Sequence, residues 1–89
     1  MAAVHVIIKG RVQGVYFRAS AREMALGLGL QGWVKNSPEG HVELIASGKQ
    51  EGIDRFLNWC EHGPPGAMVT DVQVMVVGEV GFNSFTILR

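Results

Sequence analysis

The segment 4–28 reads VHVIIKGRVQGVYFRASAREMALGL and decides the predicted fold. Its first residues are mostly β-branched and are followed by Gly10, a pattern typical of a β-strand. From Phe17 onward the apolar residues recur every three or four positions, which predicts an amphipathic helix that ends near Gly27. These apolar positions are Phe17, Ala21, Met24, Ala25 and Leu28. The glycine-bracketed segment 10–14 therefore joins a strand to the beginning of a helix.

Residues 31–46 predict a β-hairpin. Two short β-rich runs, 32–36 and 41–46, flank the sequence Ser-Pro-Glu-Gly at 37–40. Proline presets φ in such a turn and glycine accepts a positive φ, so this tetrapeptide is a strong turn signal.

The rest of the chain predicts one more helix and two more strands. Their predicted ranges are 49–62 for the helix, 69–77 for a strand and 85–88 for a short strand. We therefore expect one domain over residues 1–89, of the α+β class, with the order βαββαβ plus a short C-terminal strand. This order is the ferredoxin-like split βαβ plait, in which an antiparallel sheet carries both helices on one face.

Composition restricts the possible functions. Lys and Arg total 8 and Asp and Glu total 8, so the net charge is zero. A balanced charge argues against a non-specific nucleic-acid binder and against a polybasic membrane-surface segment. Cys60 is the single cysteine, and no signal peptide or long apolar run is visible. We therefore expect a cytoplasmic, soluble monomer that binds neither nucleic acid nor membrane.

Metal or cofactor chemistry has little support in the sequence. One cysteine and three scattered histidines do not form the clustered ligand set of a zinc site. Cys60 completes the apolar stripe of the second predicted helix, which favours a packing role. We therefore expect no metal and no cofactor.

The segment 10–18 has the features of an anion site. A loop that leads into a helix presents free backbone N–H groups and the positive end of the helix dipole. Gly14 permits a tight turn and close approach of a ligand, and Arg18 supplies a planar fork of donors suited to phosphate. An ordinary glycine turn beside a solvated arginine explains the same residues equally well.

Asn36 is the second candidate. It ends a predicted strand of the same sheet as the first strand, so it can lie near segment 10–18. Its amide can both donate and accept hydrogen bonds and so could hold a water molecule. Asparagine is also common in turns without any function.

Two segments resemble the signature motifs of the acylphosphatase family. They are GRVQGVYFR at 10–18 and GWVKNSPEG at 32–40. The similarity continues at 42–43, 63–65 and 85–87, so it covers essentially the whole chain. The resemblance implies hydrolysis of a carboxyl–phosphate anhydride to a carboxylate and inorganic phosphate, without a metal or a covalent phosphoenzyme.

The resemblance also implies roles for individual residues. Arg18 corresponds to the family's phosphate-binding arginine, and Asn36 corresponds to the asparagine that positions the attacking water. The loop amides would bind the phosphoryl oxygens of the acyl phosphate, or free phosphate or sulfate as a site ligand. The substrate-binding residues implied are Val12, Gln13, Gly14, Val15, Tyr16, Phe17 and Arg18.

An activated substrate also fits the residue inventory. Phosphoryl transfer mainly needs positioning and charge stabilisation. An acyl phosphate expels a carboxylate, whose conjugate acid has a pKa near ~4, so no acid is needed to assist its departure. A phosphate monoester expels an alkoxide and usually needs a metal or an acid, for which this sequence offers no obvious residues.

Three other functions remain possible from the sequence. A ferredoxin-like RNA-binding module would need exposed aromatic residues in a basic strand, which this sequence lacks. A carbamoyl-phosphate-handling module without a hydrolytic role occurs within much longer chains. A catalytically inactive family member is disfavoured because both Arg18 and Asn36 are present.

Overall fold

A computed structural model describes residues 2–78 and 81–89. Five strands and two helices follow one another in the predicted order, which confirms the ferredoxin-like fold. The elements are β1 (Ala2–Arg11), α1 (Phe17–Gly27), β2 (Gln31–Asn36), β3 (Val42–Gly48), α2 (Gln50–Cys60), β4 (Met68–Val76) and β5 (Phe85–Ile87).

The sheet has the strand order β4-β1-β3-β2-β5. The pairs β1–β3, β1–β4 and β2–β3 are antiparallel, as expected. The pair β2–β5 is parallel, with Gly32 opposite Phe85 and Val34 opposite Ile87. The sheet is therefore mixed and not antiparallel throughout as expected, because β5 lies at the opposite edge from β4 and runs in the direction of β2.

β1 extends beyond Gly10, the residue at which the sequence predicted the first strand to end. It continues through Gly10 to Arg11, and its register with β4 shifts between Lys9 and Gly10. Gly10 has a φ of 124°, and a Cβ atom there would collide with the carbonyl oxygen of Met68. Glycine therefore allows a bulge at a position that the sequence predicted to end the strand.

Both helices pack on the same core as the inward-facing strand residues. The sheet contributes alternate residues, as expected of strands buried on one face. The helices contribute three fully buried side chains each. The helical residues are Phe17, Ala21 and Ala25 from α1, and Ile53, Phe56 and Cys60 from α2.

The packing role predicted for Cys60 is confirmed. Its side chain is fully buried in α2, and burial raises the pKa of the thiol to about 12. Within the described residues, neither helix has the length or hydrophobicity needed to cross a bilayer.

Candidate functional site

The connection between β1 and α1 is anchored at two points. Val12 and Phe17 are each 1% exposed and belong to the core, whereas Tyr16 between them is 84% exposed. The backbone from 12 to 19, here called the amide loop, is therefore anchored to the hydrophobic core at Val12 and Phe17. Its outer surface is left open to solvent and to ligands.

The amide loop presents unpaired backbone donors. Among the described residues, none of the N–H groups of residues 12–19 has a hydrogen-bond acceptor, and pairing resumes at Ser20, whose N–H donates to the Tyr16 carbonyl at 3.0 Å. Gly14 and Tyr16 both adopt left-handed backbone, with φ of 75° and 63°. Left-handed residues in such a turn point successive N–H groups into one concavity, which is an anion-binding arrangement.

Tyr16 is the one non-glycine residue with positive φ in the part of the chain that the structure describes. A left-handed conformation costs a side-chain-bearing residue roughly 1–2 kcal/mol. Tyr16 directly precedes α1 and its side chain makes no capping hydrogen bond to the helix. The strained residue Tyr16 therefore lies where the amide loop joins the N-terminus of α1.

A cavity of about 430 Å³ opens over the amide loop. We call it the site cavity. It brings together the two elements that the sequence singled out, because both Arg18 and Asn36 line it. Its full lining is Val12, Gly14, Tyr16, Phe17, Arg18, Ala19, Asn36, Ile87 and Arg89. Of the seven residues expected to bind substrate, Gln13 and Val15 do not line it.

Arg18 is the second residue of α1, and it is half-buried. Within the described residues its guanidinium forms neither an ion pair nor a hydrogen bond. The described lining contains no Asp or Glu side chain that could neutralise it. The charge of Arg18 therefore remains available to an anionic ligand.

Arg89 is a second cation in the lining and was not among the site residues expected from the sequence. The parallel pairing of β5 with β2 carries the chain past the cavity, and the N–H of Leu88 donates to the Val34 carbonyl at 2.8 Å. No local motif marks Arg89. Only the pairing between β2 and β5 places it near Arg18.

Asn36 is the last residue of β2, opposite Val42 of β3. Its Oδ1 atom is buried and accepts no hydrogen bond from any described residue. A buried acceptor without a donor is unfavourable, by roughly 1–3 kcal/mol. Asn36 also lines the site cavity, so its side-chain amide lies beside the space in which a ligand would bind.

The side chain of Gln13 points away from the site cavity. Its Nε2 atom donates to the Ser37 and His41 carbonyls, at 2.9 Å each. No local sequence pattern predicts these bonds, because both acceptors are backbone atoms of a turn more than twenty residues away. Only the backbone N–H of Gln13 remains to meet a ligand.

The site has the chemistry of an oxyanion receptor. Its described lining combines two arginines, free amides and one asparagine, and lacks His, Cys, Asp and Glu. No group of three or more His, Cys, Asp or Glu side chains suited to a metal occurs in residues 2–78 and 81–89. The arrangement can therefore bind a tetrahedral anion through hydrogen bonds and arginine charge.

Comparison with known proteins gives a consistent result over the whole chain. A family model described as acylphosphatase matches residues 4–87. An acylphosphatase of Methylococcus capsulatus is 51% identical over 90 residues, covering 100% of this chain and 98% of the relative. The crystal structure of an acylphosphatase from Bacillus subtilis is 36% identical, with a TM-score of 0.96 and 100% of both chains covered. Full-length HypF in a phosphate- and nucleotide-bound form is 28% identical, with a TM-score of 0.92, covering 99% of this chain and 12% of HypF.

Proposed function

The chain belongs to the acylphosphatase family and is a hydrolase acting on acyl phosphates, and we propose that it does so by direct attack of a water held by Asn36 on a phosphoryl group held by Arg18 and the amide loop. The observation that carries this proposal is the shared cavity. Among the described residues, the amide loop with its unpaired N–H groups, the unpaired guanidinium of Arg18 and the side chain of Asn36 meet at one concave site.

The amide loop and Arg18 form the phosphate-binding half of the site. The N–H groups of residues 12–19 and the positive end of the α1 dipole favour an oxyanion. The Arg18 guanidinium adds two parallel donors to phosphoryl oxygens. These donors are fixed before the substrate arrives, so they stabilise the charge of the transition state without reorganisation.

Asn36 forms the water-binding half. A water hydrogen-bonded to the side-chain amide of Asn36 is held at the end of β2, facing the phosphoryl group on the amide loop. The position of Asn36 in the cavity lining, together with Arg18, supports this role, because an amide can both donate to and accept from a water. Orientation of the two reactants within one site is the main catalytic effect that such a device can provide.

The bond changes balance without an acid or a metal. The water oxygen forms a bond to phosphorus, and the bond from phosphorus to the acyl oxygen breaks with its electron pair staying on the carboxylate. The proton lost by the water passes to the phosphate product or to solvent. Because a carboxylate is a good leaving group, the absence of an acidic side chain in the described lining suits an acyl phosphate.

The test is hydrolysis in water enriched in oxygen-18. Acetyl phosphate, benzoyl phosphate and carbamoyl phosphate serve as substrates, and a phosphate monoester is the control. We expect rapid phosphate release from the three anhydrides, little from the monoester, and the label in phosphate and not in the carboxylate. Label in the carboxylate would mean attack at the acyl carbon, which contradicts the proposal.

A further inference from the structure

Gln13 connects the two halves of the site. Its half-buried side chain leaves the amide loop and ends between two carbonyls of the β2–β3 connection, with 2.9 Å from Nε2 to the Ser37 oxygen and 2.9 Å to the His41 oxygen. No other side chain of residues 12–19 makes a hydrogen bond to that connection in the described structure.

The two carbonyls belong to the residues that fix the position of Asn36. Ser37 follows Asn36 directly, and His41 directly precedes Val42, the strand partner of Asn36. The Ser37 N–H also donates to the His41 carbonyl at 2.9 Å, which closes the hairpin. A displacement of these two carbonyls therefore moves the backbone of Asn36.

The hairpin can close without Gln13. The Ser37 carbonyl also accepts from the Gly40 N–H at 3.1 Å, and the His41 carbonyl also accepts from the Ser37 N–H. Each carbonyl therefore keeps one donor when the Gln13 amide is removed. The two Gln13 bonds are additional to turn formation, and they are the bonds that join the turn to the amide loop.

We infer that Gln13 is a positioning residue that sets the distance between the phosphate held by the amide loop and the water held by Asn36. This inference rests on the proposed function above, because it gives Gln13 a role only through Asn36. Gln13 touches neither the site cavity nor the reacting atoms with its side chain. Its removal should therefore slow the chemical step while leaving the phosphate-binding donors in place.

The test compares Gln13→Met and Gln13→Glu with the unchanged protein. Neither replacement can donate to the two carbonyls at neutral pH. We expect kcat to fall about 10–100-fold, as for a misplaced reactant. The inhibition constant of inorganic phosphate should change by less than about 3-fold, because the N–H groups and Arg18 remain. Gln73→Met is the matched control, since Gln73 is exposed on β4 and, among the described residues, its side chain hydrogen-bonds only to Asp71.

A double-mutant cycle with Asn36→Ala separates positioning from general damage. If Gln13 acts through Asn36, adding Gln13→Met to Asn36→Ala should lower kcat by less than about 3-fold further. Gln13→Lys provides a rescue, because its ammonium group can donate to both carbonyls. We expect it to retain more of the native kcat than Gln13→Met.

Each contrary result overturns the inference in a recognisable way. Multiplicative losses in the double variant, or a phosphate inhibition constant that rises as kcat falls, would show that Gln13 does not act through Asn36. Loss of native circular dichroism in both Gln13→Met and Gln13→Glu would show that Gln13 is required for folding, which contradicts a role limited to positioning. If Gln13→Met has a near-normal kcat while Asn36→Ala has a low kcat, this inference is wrong but the proposed function is not contradicted. Near-normal kcat in Asn36→Ala overturns the proposed function and this inference together.

Discussion

The ring of Phe17 packs against the ring of Trp59, with 5.2 Å between their centroids and 56° between their planes. Phe17 is 1% exposed and directly precedes Arg18. The contact joins the start of α1 to the end of α2, so the position of the Arg18 backbone depends on a side chain of the other helix. Trp59 in turn stacks on Phe56 at 6.0 Å.

Trp59→Ala should weaken both stability and phosphate binding. Removing this ring leaves a void beside Phe17, which we expect to lower the free energy of unfolding by about 3 kcal/mol. The control is Trp33→Ala, because Trp33 alternates with buried Val34 and faces the side of the sheet away from the helices. Urea titration measures stability and inhibition by phosphate measures the site. Equal effects of both variants on the phosphate constant would contradict the anchoring role.

Arg18→Ala should weaken phosphate binding and abolish turnover together. The guanidinium contributes roughly 1.5–3 kcal/mol for each charge-assisted hydrogen bond, so we expect a loss in phosphate affinity of at least about 10²-fold. Arg18→Lys should rescue poorly because lysine lacks the planar fork. Arg22→Ala is the control, since Arg22 is exposed on the same helix and does not line the site cavity. The measurements are phosphate calorimetry and kcat. A phosphate affinity in Arg18→Ala equal to that of the unchanged protein would show that Arg18 does not bind the phosphate.

Asn36→Ala should slow the reaction without weakening phosphate binding. Loss of a positioned polar group costs on the order of 10²–10³ in rate, and interactions used mainly in the transition state appear in kcat. The same change removes a buried unpaired oxygen, so we expect stability to be maintained or raised by about 1 kcal/mol. Asn58→Ala, on the exposed face of α2, is the control. A loss of phosphate affinity as large as that of Arg18→Ala would place Asn36 on the phosphate and not on the water.

Activity should persist after treatment with excess chelator. The described lining offers arginines and an asparagine and no Asp, Glu, Cys or His side chain, a set of side chains that suits an anion better than a cation. The assay is phosphate release from benzoyl phosphate before and after dialysis against a chelator. Loss of turnover that one divalent ion restores would require a different mechanism.

Stability should decline at alkaline pH through Cys60. Burial raises the pKa of this thiol from 9.0 to about 12, whereas in the unfolded chain it ionises near the ordinary value. The folded state therefore retains a proton that the unfolded state loses. The contribution of the Cys60 thiol to the free energy of unfolding is fully present below pH 9. It is lost as the pH rises from 9 to about 12, at up to about 1.4 kcal/mol per pH unit.

The comparison for Cys60 is with Cys60→Ala, which lacks the thiol. Urea titrations at pH 8 and pH 11 should show a steeper loss in the unchanged protein than in the variant. At pH 8 a thiol reagent should label the native protein slowly and the urea-unfolded protein rapidly. Rapid labelling without urea would be inconsistent with a buried, protonated Cys60.

The elements and the main site residues were predictable because their signals are local. The spacing of Phe17, Ala21 and Ala25 predicted α1, and the loop before it predicted free N–H groups. The parallel pairing of β5 could not be predicted, since a three-residue strand carries no information about its direction or its neighbour. Arg89 depends on that pairing, and the bonds of Gln13 depend on a turn distant in sequence, so both required the three-dimensional structure.

The pairing of β5 with β2 determines when the site can form during folding. The two strands pair across roughly fifty residues of chain, and β1 pairs with both β3 and β4. Proteins dominated by such non-local contacts fold on millisecond to second timescales, more slowly than helical bundles. During synthesis the amide loop and Asn36 leave the ribosome before the strand that carries Ile87 and Arg89 to the cavity. A nascent chain therefore completes the proposed site only when β5 has docked on β2.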